Sequence, residues 1–236
     1  MKIAIMQPYL FPYLGYYQLV NAVDKFIFFD DVHFINKGWI NRNQLLGKPA
    51  ACKFSVPLKA ASQNKLIKDI EMDDFEKWSN KFLKTVEATY KKAIFFETTF
   101  AFLQHFLQNK NYSTINELAC DSVIKVANLL QANTSFSNAQ NYEYRSKDLV
   151  TGEDKILSLC ALTGANQYIN AKNGEALYNR ERFQSQGIQL NFLNINKVEY
   201  KQFDGQAFLP SLSIIDVMMF NNVNQIKKML NYYEFN

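Results

Sequence analysis

The apolar residues at the start of the chain form a continuous run, then a helical pattern and then a second continuous run. These patterns predict a strand, a helix and a second strand. The run from Lys2 to Met6 is almost continuously apolar, as is typical of a buried strand. Leu14 to Val23 has a helical pattern, and KFIFF at Lys25 to Phe29 is a second apolar run. The pattern predicts two parallel strands joined by a right-handed helical crossover. Their polar ends would then share one edge of a sheet.

The same two patterns recur along the rest of the chain. Further strands are predicted at Cys52 to Leu58, Ile67 to Met72, Thr134 to Ser137, Gln167 to Asn170 and Gln189 to Leu193. Helices are predicted at Asp74 to Lys92, Thr98 to Gln108, Ser113 to Leu130, Glu153 to Leu162, Arg180 to Gln186, Ser213 to Asn221 and Asn222 to Leu230. We therefore expect an α/β protein, a layered fold with a mainly parallel sheet flanked by helices and a helical insertion at about residues 74–131. Because no linker-like composition divides the sequence, we expect one domain over residues 1–236.

Composition narrows the class of protein. The net charge is +4, and the 26 basic residues are interspersed with 22 acidic ones, so no nucleic-acid partner is indicated. The three cysteines are far apart, which favours neither a disulfide framework nor a zinc site and fits a reducing cytoplasm. The N-terminal apolar run is too short for a signal peptide, and no run is long enough for a membrane span. We expect a cytoplasmic protein with a small-molecule substrate.

Several familiar catalytic devices are missing from the sequence. It contains neither G-x-G-x-x-G, nor a P-loop, nor G-x-S-x-G. His33 and His105 are the only histidines, which leaves little material for a histidine metal site or a Ser-His-Asp triad. The sequence therefore names no metal ligand and no cofactor.

Two carboxylates follow the second predicted strand. Asp30 and Asp31 come directly after KFIFF, and adjacent strand residues point in opposite directions, so one of the two would face a site. A carboxylate there could accept a proton, bind magnesium or bind sugar hydroxyls. Aspartates also commonly begin turns, and this structural interpretation carries almost equal weight.

The segment NKGWINRN combines cations, an amide and a large ring. Arg42 could bind a phosphate or carboxylate with two parallel hydrogen bonds, and Lys37 could add a positive charge. Trp39 could stack on a base or a sugar, and Asn41 could bind a polar group. A surface hairpin with a half-buried tryptophan explains the segment equally well.

A third polar pair lies near the C-terminus. Ser213 precedes Asp216 by three residues, which is the spacing of a helix-capping interaction. Capping is the default interpretation. The alternative is that the helix N-terminus, with its exposed N–H groups, faces an anionic ligand.

Three motifs together give the chain a family resemblance. They are QPYLFPYLGY at Gln7 to Tyr16, DDVHFINKGWINR at Asp30 to Arg42, and LSIID at Leu212 to Asp216. On these motifs the chain closely resembles the WbqC-like protein family of bacteria over essentially its whole length. Trp39 departs from the family spacing by one residue, and Met6 and His33 stand where members often have histidine and glutamine. The resemblance implies a role in O-antigen or other surface-polysaccharide synthesis, with sugar-nucleotide or amino-sugar chemistry.

The leading hypothesis is a transferase that adds an acyl or aminoacyl group to a nucleotide-linked amino sugar. The substrates would be a nucleotide-linked sugar and an acyl carrier thioester. In this hypothesis Asp31 or Asp216, with Asp30 as a further candidate, accepts the amine proton. The remaining candidates bind substrate. Lys37 and Arg42 would hold the diphosphate, and Gln7 and Asn41 would bond sugar or carbonyl groups. Tyr16 would orient the substrate through its hydroxyl, Trp39 would stack on a base or sugar, and Ser213 would present a helix N-terminus to an anion.

Two other functions stay open at this point. The loop after the first strand is similar to that of nucleotidylyltransferases with a His-x-Gly-His signature, although both histidines are missing. The same polar cluster could instead belong to a non-catalytic module that binds a glycan or a partner enzyme. If Tyr9, Phe11, Tyr13 and Trp39 were exposed, they would favour that module or a homodimer interface.

Overall fold

The computed structural model describes residues 1–48, 50–144, 151–196, 198–205 and 207–236. Its strands are β1 (Lys2–Met6), β2 (Lys25–Phe28), β3 (Arg42–Leu45), β4 (Cys52–Ser55), β5 (Ser135–Asn138), β6 (Gln167–Ala171), β7 (Gln189–Ile195) and β8 (Tyr233–Phe235). Its helices are α1 (Leu14–Asn21), α2 (Phe75–Tyr90), α3 (Phe96–Gln108), α4 (Ile115–Leu129), α5 (Gly152–Thr163), α6 (Arg180–Ser185), α7 (Ile214–Phe220) and α8 (Val223–Met229).

Within the described residues, six strands form a mixed sheet in the order β5-β2-β1-β6-β7-β8. The first five strands in this order are parallel, and β8 pairs with β7 in the antiparallel sense. This confirms the predicted α/β class, the mainly parallel sheet and the shared edge of β1 and β2. The helices α2 to α4 form the predicted insertion, between β4 and β5.

Alternating side chains place apolar groups on both faces of the sheet. Ile3 and Ile5 of β1 pack with α5 and α6 on one face, and Ala4 packs with the core of the other face. Phe26 and Phe28 of β2 join this second core, which also contains residues of α1, of the helical insertion and of α7 and α8. Burial on both faces is the reason that parallel strands have nearly continuous apolar runs, as the sequence has here.

Local signals explain several helix boundaries. Thr114 caps α4, and Glu117 returns the bond to complete a capping box. The α5 helix ends at Gly164, whose φ of +66° is accessible to glycine without a steric penalty. No helix of the described residues has the length and apolarity that a membrane crossing requires.

Some predicted elements differ in the structure. Ile67 to Met72 is not a paired strand, because Ile67–Asp69 forms a 3-10 turn and Met72 makes only an isolated bridge to Leu58. The sequence analysis missed β3, which pairs with β4 in a separate two-stranded sheet, and it missed β8. Both missed strands are short, and the polar sequence RNQL of β3 has no strand-like apolar pattern.

Candidate functional site

A cavity of about 1200 Å³ lies at the carboxyl ends of β1, β6 and β7. From β1 the chain builds the sheet outward through β2 and β5, and it then returns to add β6 and β7 on the other side of β1. The strand order therefore reverses between β1 and β6. Open α/β sheets bind ligands at such a switch point, because the flanking connections leave in opposite directions and a crevice opens between them.

The cavity lining combines aromatic rings with side-chain amides. The rings belong to Tyr9, Tyr13, Phe29, Trp39, Tyr178, Tyr200 and Phe208. The amides belong to Gln7, Asn43, Asn170, Asn173, Asn194 and Asn196. Rings stack on flat sugar or base faces, and amides offer both donors and acceptors. This lining suits a ligand that carries hydroxyl, carbonyl or heterocyclic groups.

Full charges are few in this lining and are already paired. Lys172 forms an ion pair with Glu175 at 2.6 Å. Arg182 of α6 contacts Glu153 at the start of α5 and bonds Asp154 at 2.7 Å. The hydrogen bonds from Arg182 and from Thr151 hold the pKa of Asp154 below its usual value. Among the described residues, no group of three His, Cys, Asp or Glu side chains is placed to hold a metal ion.

The loop after β1 forms one wall and is pinned by buried side chains. Phe11 has a φ of +41°, and its carbonyl accepts bonds from Asn43 Nδ2 at 2.8 Å and Ser213 Oγ at 2.7 Å. The Phe11 N–H donates to Ser122 Oγ at 3.0 Å. These contacts satisfy the polar backbone of a buried loop that contains two prolines, which cannot donate. The first and third sequence motifs therefore meet in space.

Two predicted binding residues line the cavity. Gln7 lies where β1 ends, and the Trp39 ring stands at the mouth with 42% of its surface exposed. Tyr16 lies behind this wall: it is buried, and its hydroxyl donates to the Gln7 carbonyl at 2.8 Å. Burial raises the pKa of Tyr16 well above its usual value. The buried Tyr16 hydroxyl thus helps to fix the backbone position of Gln7.

Asp30 and Asp31 are not among the residues that line the cavity. Asp30 is buried and accepts bonds from Asn116, Asn138 and the Gln140 N–H at 2.6–3.2 Å. Asp31 is also buried and accepts a bond from Tyr144. At the end of β2, the Asp30 side chain therefore bonds residues at the end of β5, which is the neighbour of β2 on the side away from β1 and the cavity. The prediction that either carboxylate is catalytic stays a prediction.

Asp216 reaches the cavity through one neighbour. It is fully buried in α7 and accepts bonds from Tyr90 at 2.8 Å, Tyr200 at 2.6 Å and Gln202 at 2.8 Å. Burial raises the pKa of Asp216 above its usual value, although the three hydrogen bonds oppose that shift. Tyr200 lines the cavity, so a single hydroxyl connects this carboxylate to the site.

The remaining four candidates lie outside the cavity, three of them near the hairpin of β3 and β4 and one at the start of α7. Asn41 pairs with Val56 through its side chain at 2.9 Å and through its carbonyl at 2.7 Å. Arg42 Nε donates to the Gly38 carbonyl at 2.7 Å, and Lys37 is exposed. Ser213 is buried between Phe11 and the first turn of α7, where its hydroxyl accepts from the Ile215 N–H, as capping predicts. None of these four lines the cavity.

Sequence reasoning missed most of the polar residues that line the cavity. Asn170 had a usable signal, because it follows an apolar run and so stands at the carboxyl end of β6. Glu153, Tyr178 and Arg182 had no such signal, since only the packing of α5 and α6 beside β6 brings them together.

Comparisons with known proteins agree with the resemblance in the motifs. An uncharacterized protein of Mycobacterium tuberculosis (strain ATCC 25618 / H37Rv), Rv1507c, is 24% identical over 220 residues, which are 92% of each chain. No solved structure matches the chain. The model of the WbqC-like protein family matches residues 7–228. The chain therefore belongs to the WbqC-like protein family, which is associated with polysaccharide biosynthesis.

Proposed function

We propose that this protein is a transferase of surface-polysaccharide biosynthesis, of the O-antigen type, that modifies a nucleotide-linked amino sugar by acyl or aminoacyl transfer. The observation that carries the proposal is the cavity at the switch point, whose rings and amides suit a sugar and a base. The family association with polysaccharide biosynthesis supports the substrate class. An acyl carrier thioester is the proposed donor.

The diphosphate and the sugar of the proposed substrate would bind different parts of the cavity. The first turns of α1 and α5 both line the cavity, at Leu14 and Gly15 and at Gly152 and Glu153. Helix N-termini favour phosphate through their N–H groups and their positive dipole ends. The Glu153 and Asp154 carboxylates at the start of α5 disfavour a phosphate there, so we assign the diphosphate to the first turn of α1 and the sugar to the amides at the ends of β6 and β7.

The transfer step needs a base for the amine. The amine nitrogen attacks the thioester carbonyl, the thiolate leaves, and the amine loses one proton. We assign proton acceptance to Asp216 acting through Tyr200, because Tyr200 lines the cavity and donates to Asp216. The earlier candidate, Asp31, is tested by Asp31→Asn: unchanged turnover in a folded variant removes it from the mechanism.

Calorimetric titration with UDP-N-acetylglucosamine, a product of the proposed transfer, tests binding in the cavity. We expect wild-type protein to bind UDP-N-acetylglucosamine, and we expect Trp39→Ala to weaken binding about tenfold if its ring stacks on the ligand. Tyr232→Ala is the matched control, because Tyr232 is an exposed aromatic outside the cavity. Equal loss in both variants, or no binding to wild type, contradicts the proposed site.

Mass spectrometry tests the reaction. Wild-type protein incubated with UDP-glucosamine and acetyl-coenzyme A should yield the N-acylated sugar nucleotide. Pyrophosphate release from nucleoside triphosphates with magnesium, without acyl transfer, would instead identify the nucleotidyl-transfer alternative. Tight sugar-nucleotide binding with no product under either condition would identify a binding module.

A further inference from the structure

The end of β6 carries a chain of hydrogen bonds whose direction is fixed. The backbone N–H of Ala171 donates to Asn170 Oδ1 at 2.7 Å. Because a backbone N–H can only donate, this contact sets the orientation of the Asn170 amide. Its Nδ2 then faces two phenols, and it donates to Tyr168 at 2.7 Å and to Tyr178 at 2.9 Å.

The burial of Tyr168 sets the direction of the next hydrogen bond. Tyr168 is fully buried, and its hydroxyl proton needs an acceptor inside the protein. Among the described residues, the acceptor in reach is the Tyr178 hydroxyl, at 3.3 Å. Tyr178 therefore accepts two hydrogen bonds, from Asn170 and from Tyr168.

Two accepted bonds occupy both lone pairs of the Tyr178 hydroxyl and leave its own proton available. No acceptor for that proton is found in the described part of the chain, and Tyr178 lines the cavity. The ring itself is held by Tyr168, Phe183 and Phe192. The structure thus presents an oriented donor on a fixed ring at the switch point.

The surroundings of Tyr178 favour a neutral acceptor. Burial raises the pKa of the Tyr178 phenol, the bonds that it accepts from Tyr168 and Asn170 oppose that shift, and the Glu153 carboxylate adds a smaller rise. The net shift is upward, so the group stays protonated at neutral pH. The same carboxylate disfavours a phosphate at this point, because like charges repel. A carbonyl oxygen satisfies both conditions, whereas a sugar hydroxyl also brings a proton of its own.

We propose that Tyr178 recognises the carbonyl oxygen of an acylamino group on the sugar, through a hydrogen bond that Asn170 and Tyr168 direct into the cavity. The proposal rests on the proposed function, since this acylamino group is what the proposed transfer leaves on the sugar. Tyr178 is a binding residue that determines specificity, and Asn170 is a positioning residue.

Tyr178→Phe removes the donor and keeps the ring. We expect its affinity for UDP-N-acetylglucosamine to fall about tenfold by calorimetry, which is the upper range for one neutral hydrogen bond. Its affinity for UDP-glucose, which lacks the acylamino group, should change less than about twofold. Equal losses for both ligands, or no loss for either, would overturn the assignment while leaving the proposed function intact.

Asn170→Asp reverses the direction of the hydrogen-bond chain. A carboxylate at position 170 accepts from the phenols, so the Tyr178 proton turns away from the cavity although the hydroxyl is still present. The selective loss for UDP-N-acetylglucosamine should match that of Tyr178→Phe. A structural role alone predicts no such selectivity, and unchanged selectivity in folded Asn170→Asp would refute the directed donor.

A test without sugar nucleotide keeps this inference separate from the proposed function. In crystals of ligand-free wild-type protein we expect an ordered water within about 3 Å of Tyr178 Oη on the cavity side, accepting its proton. The water should be lost in Tyr178→Phe. A protein acceptor for the Tyr178 proton, or a dry hydroxyl, would refute the inference even if no nucleotide sugar binds.

Discussion

The two walls of the cavity use their polar groups in opposite ways. In the loop wall, formed by residues 7–16, polar contacts point inward: Asn43 and Ser213 bond the Phe11 carbonyl, and Tyr16 bonds the Gln7 carbonyl. In the strand wall, formed by the ends of β6 and β7, Asn194 and Asn196 line the cavity, and Tyr178 has a proton to donate. The buried polar contacts behind the loop wall fix its shape, whereas the strand wall presents polar side chains to the ligand.

This contrast shows what a dense motif signifies. The prolines and aromatics of the loop wall are noticeable in sequence because a buried loop needs unusual residues to satisfy its backbone. The strand wall needs only amides at strand ends, which are ordinary in composition. Chemical density along a sequence therefore locates a site without identifying the groups that face the ligand.

Asp216 gives the largest expected effect. Asp216→Asn places an amide among three donors, and we expect it to lower the free energy of unfolding by about 3 kcal/mol at neutral pH, because bonds to a buried carboxylate are lost. Urea denaturation measures this loss. Thr98→Ser on the surface of α3 is a control that should change stability little. An unaltered unfolding free energy would show that the network does not stabilise the cavity wall.

The pH dependence of that loss has a definite sign. Because the pKa of Asp216 is raised in the folded state, folding takes up protons above the unfolded pKa, and stability falls as pH rises through the folded pKa. The difference in the free energy of unfolding between wild type and Asp216→Asn should therefore shrink as pH increases from the unfolded to the folded pKa of Asp216. A difference that grows with pH would mean that the carboxylate is held ionised.

A matched pair of asparagines tests the contrast between the walls directly. Asn43→Ala removes two buried bonds, to the Leu10 and Phe11 carbonyls, and should lower the unfolding free energy by about 2 kcal/mol. Asn194→Ala removes an exposed amide of the strand wall and should cost less than about 0.5 kcal/mol. If the two substitutions lowered the unfolding free energy by similar amounts, the two walls would not differ in how they use their polar side chains.

Much of the fold follows from periodicity, since most predicted strands and helices match the structure to within a few residues. The predicted strand from Lys2 to Met6 is present, and α4 begins at a capping box of Thr114 and Glu117. Long apolar runs and caps are local signals, so the sequence carries them directly. The hairpin strand β3 and the last strand β8 depend on pairing partners, and no local pattern reveals them.

The site was harder to predict for the same physical reason. Gln7 and Trp39, which belong to the sequence motifs, line the cavity. Asp30 looked catalytic at the end of β2, yet its two nearest donors come from Asn138 of β5 and Asn116 of α4. Which edge of a sheet a strand end faces depends on strand order, and strand order is a property of the whole chain.

Lys37 gives the smallest expected effect and tests the last charged candidate outside the cavity. It occupies the third position of a turn closed by Gly38 N–H to Ile35 O, with a φ of +65°, a conformation that favours glycine. In Lys37→Gly the relief of backbone strain offsets the entropy that glycine gains on unfolding, so stability should stay within about 0.5 kcal/mol. Because the side chain is exposed and does not line the cavity, affinity for UDP-N-acetylglucosamine should also stay within about twofold. A selective, salt-dependent loss of affinity would instead place the diphosphate beside this turn, outside both walls of the cavity.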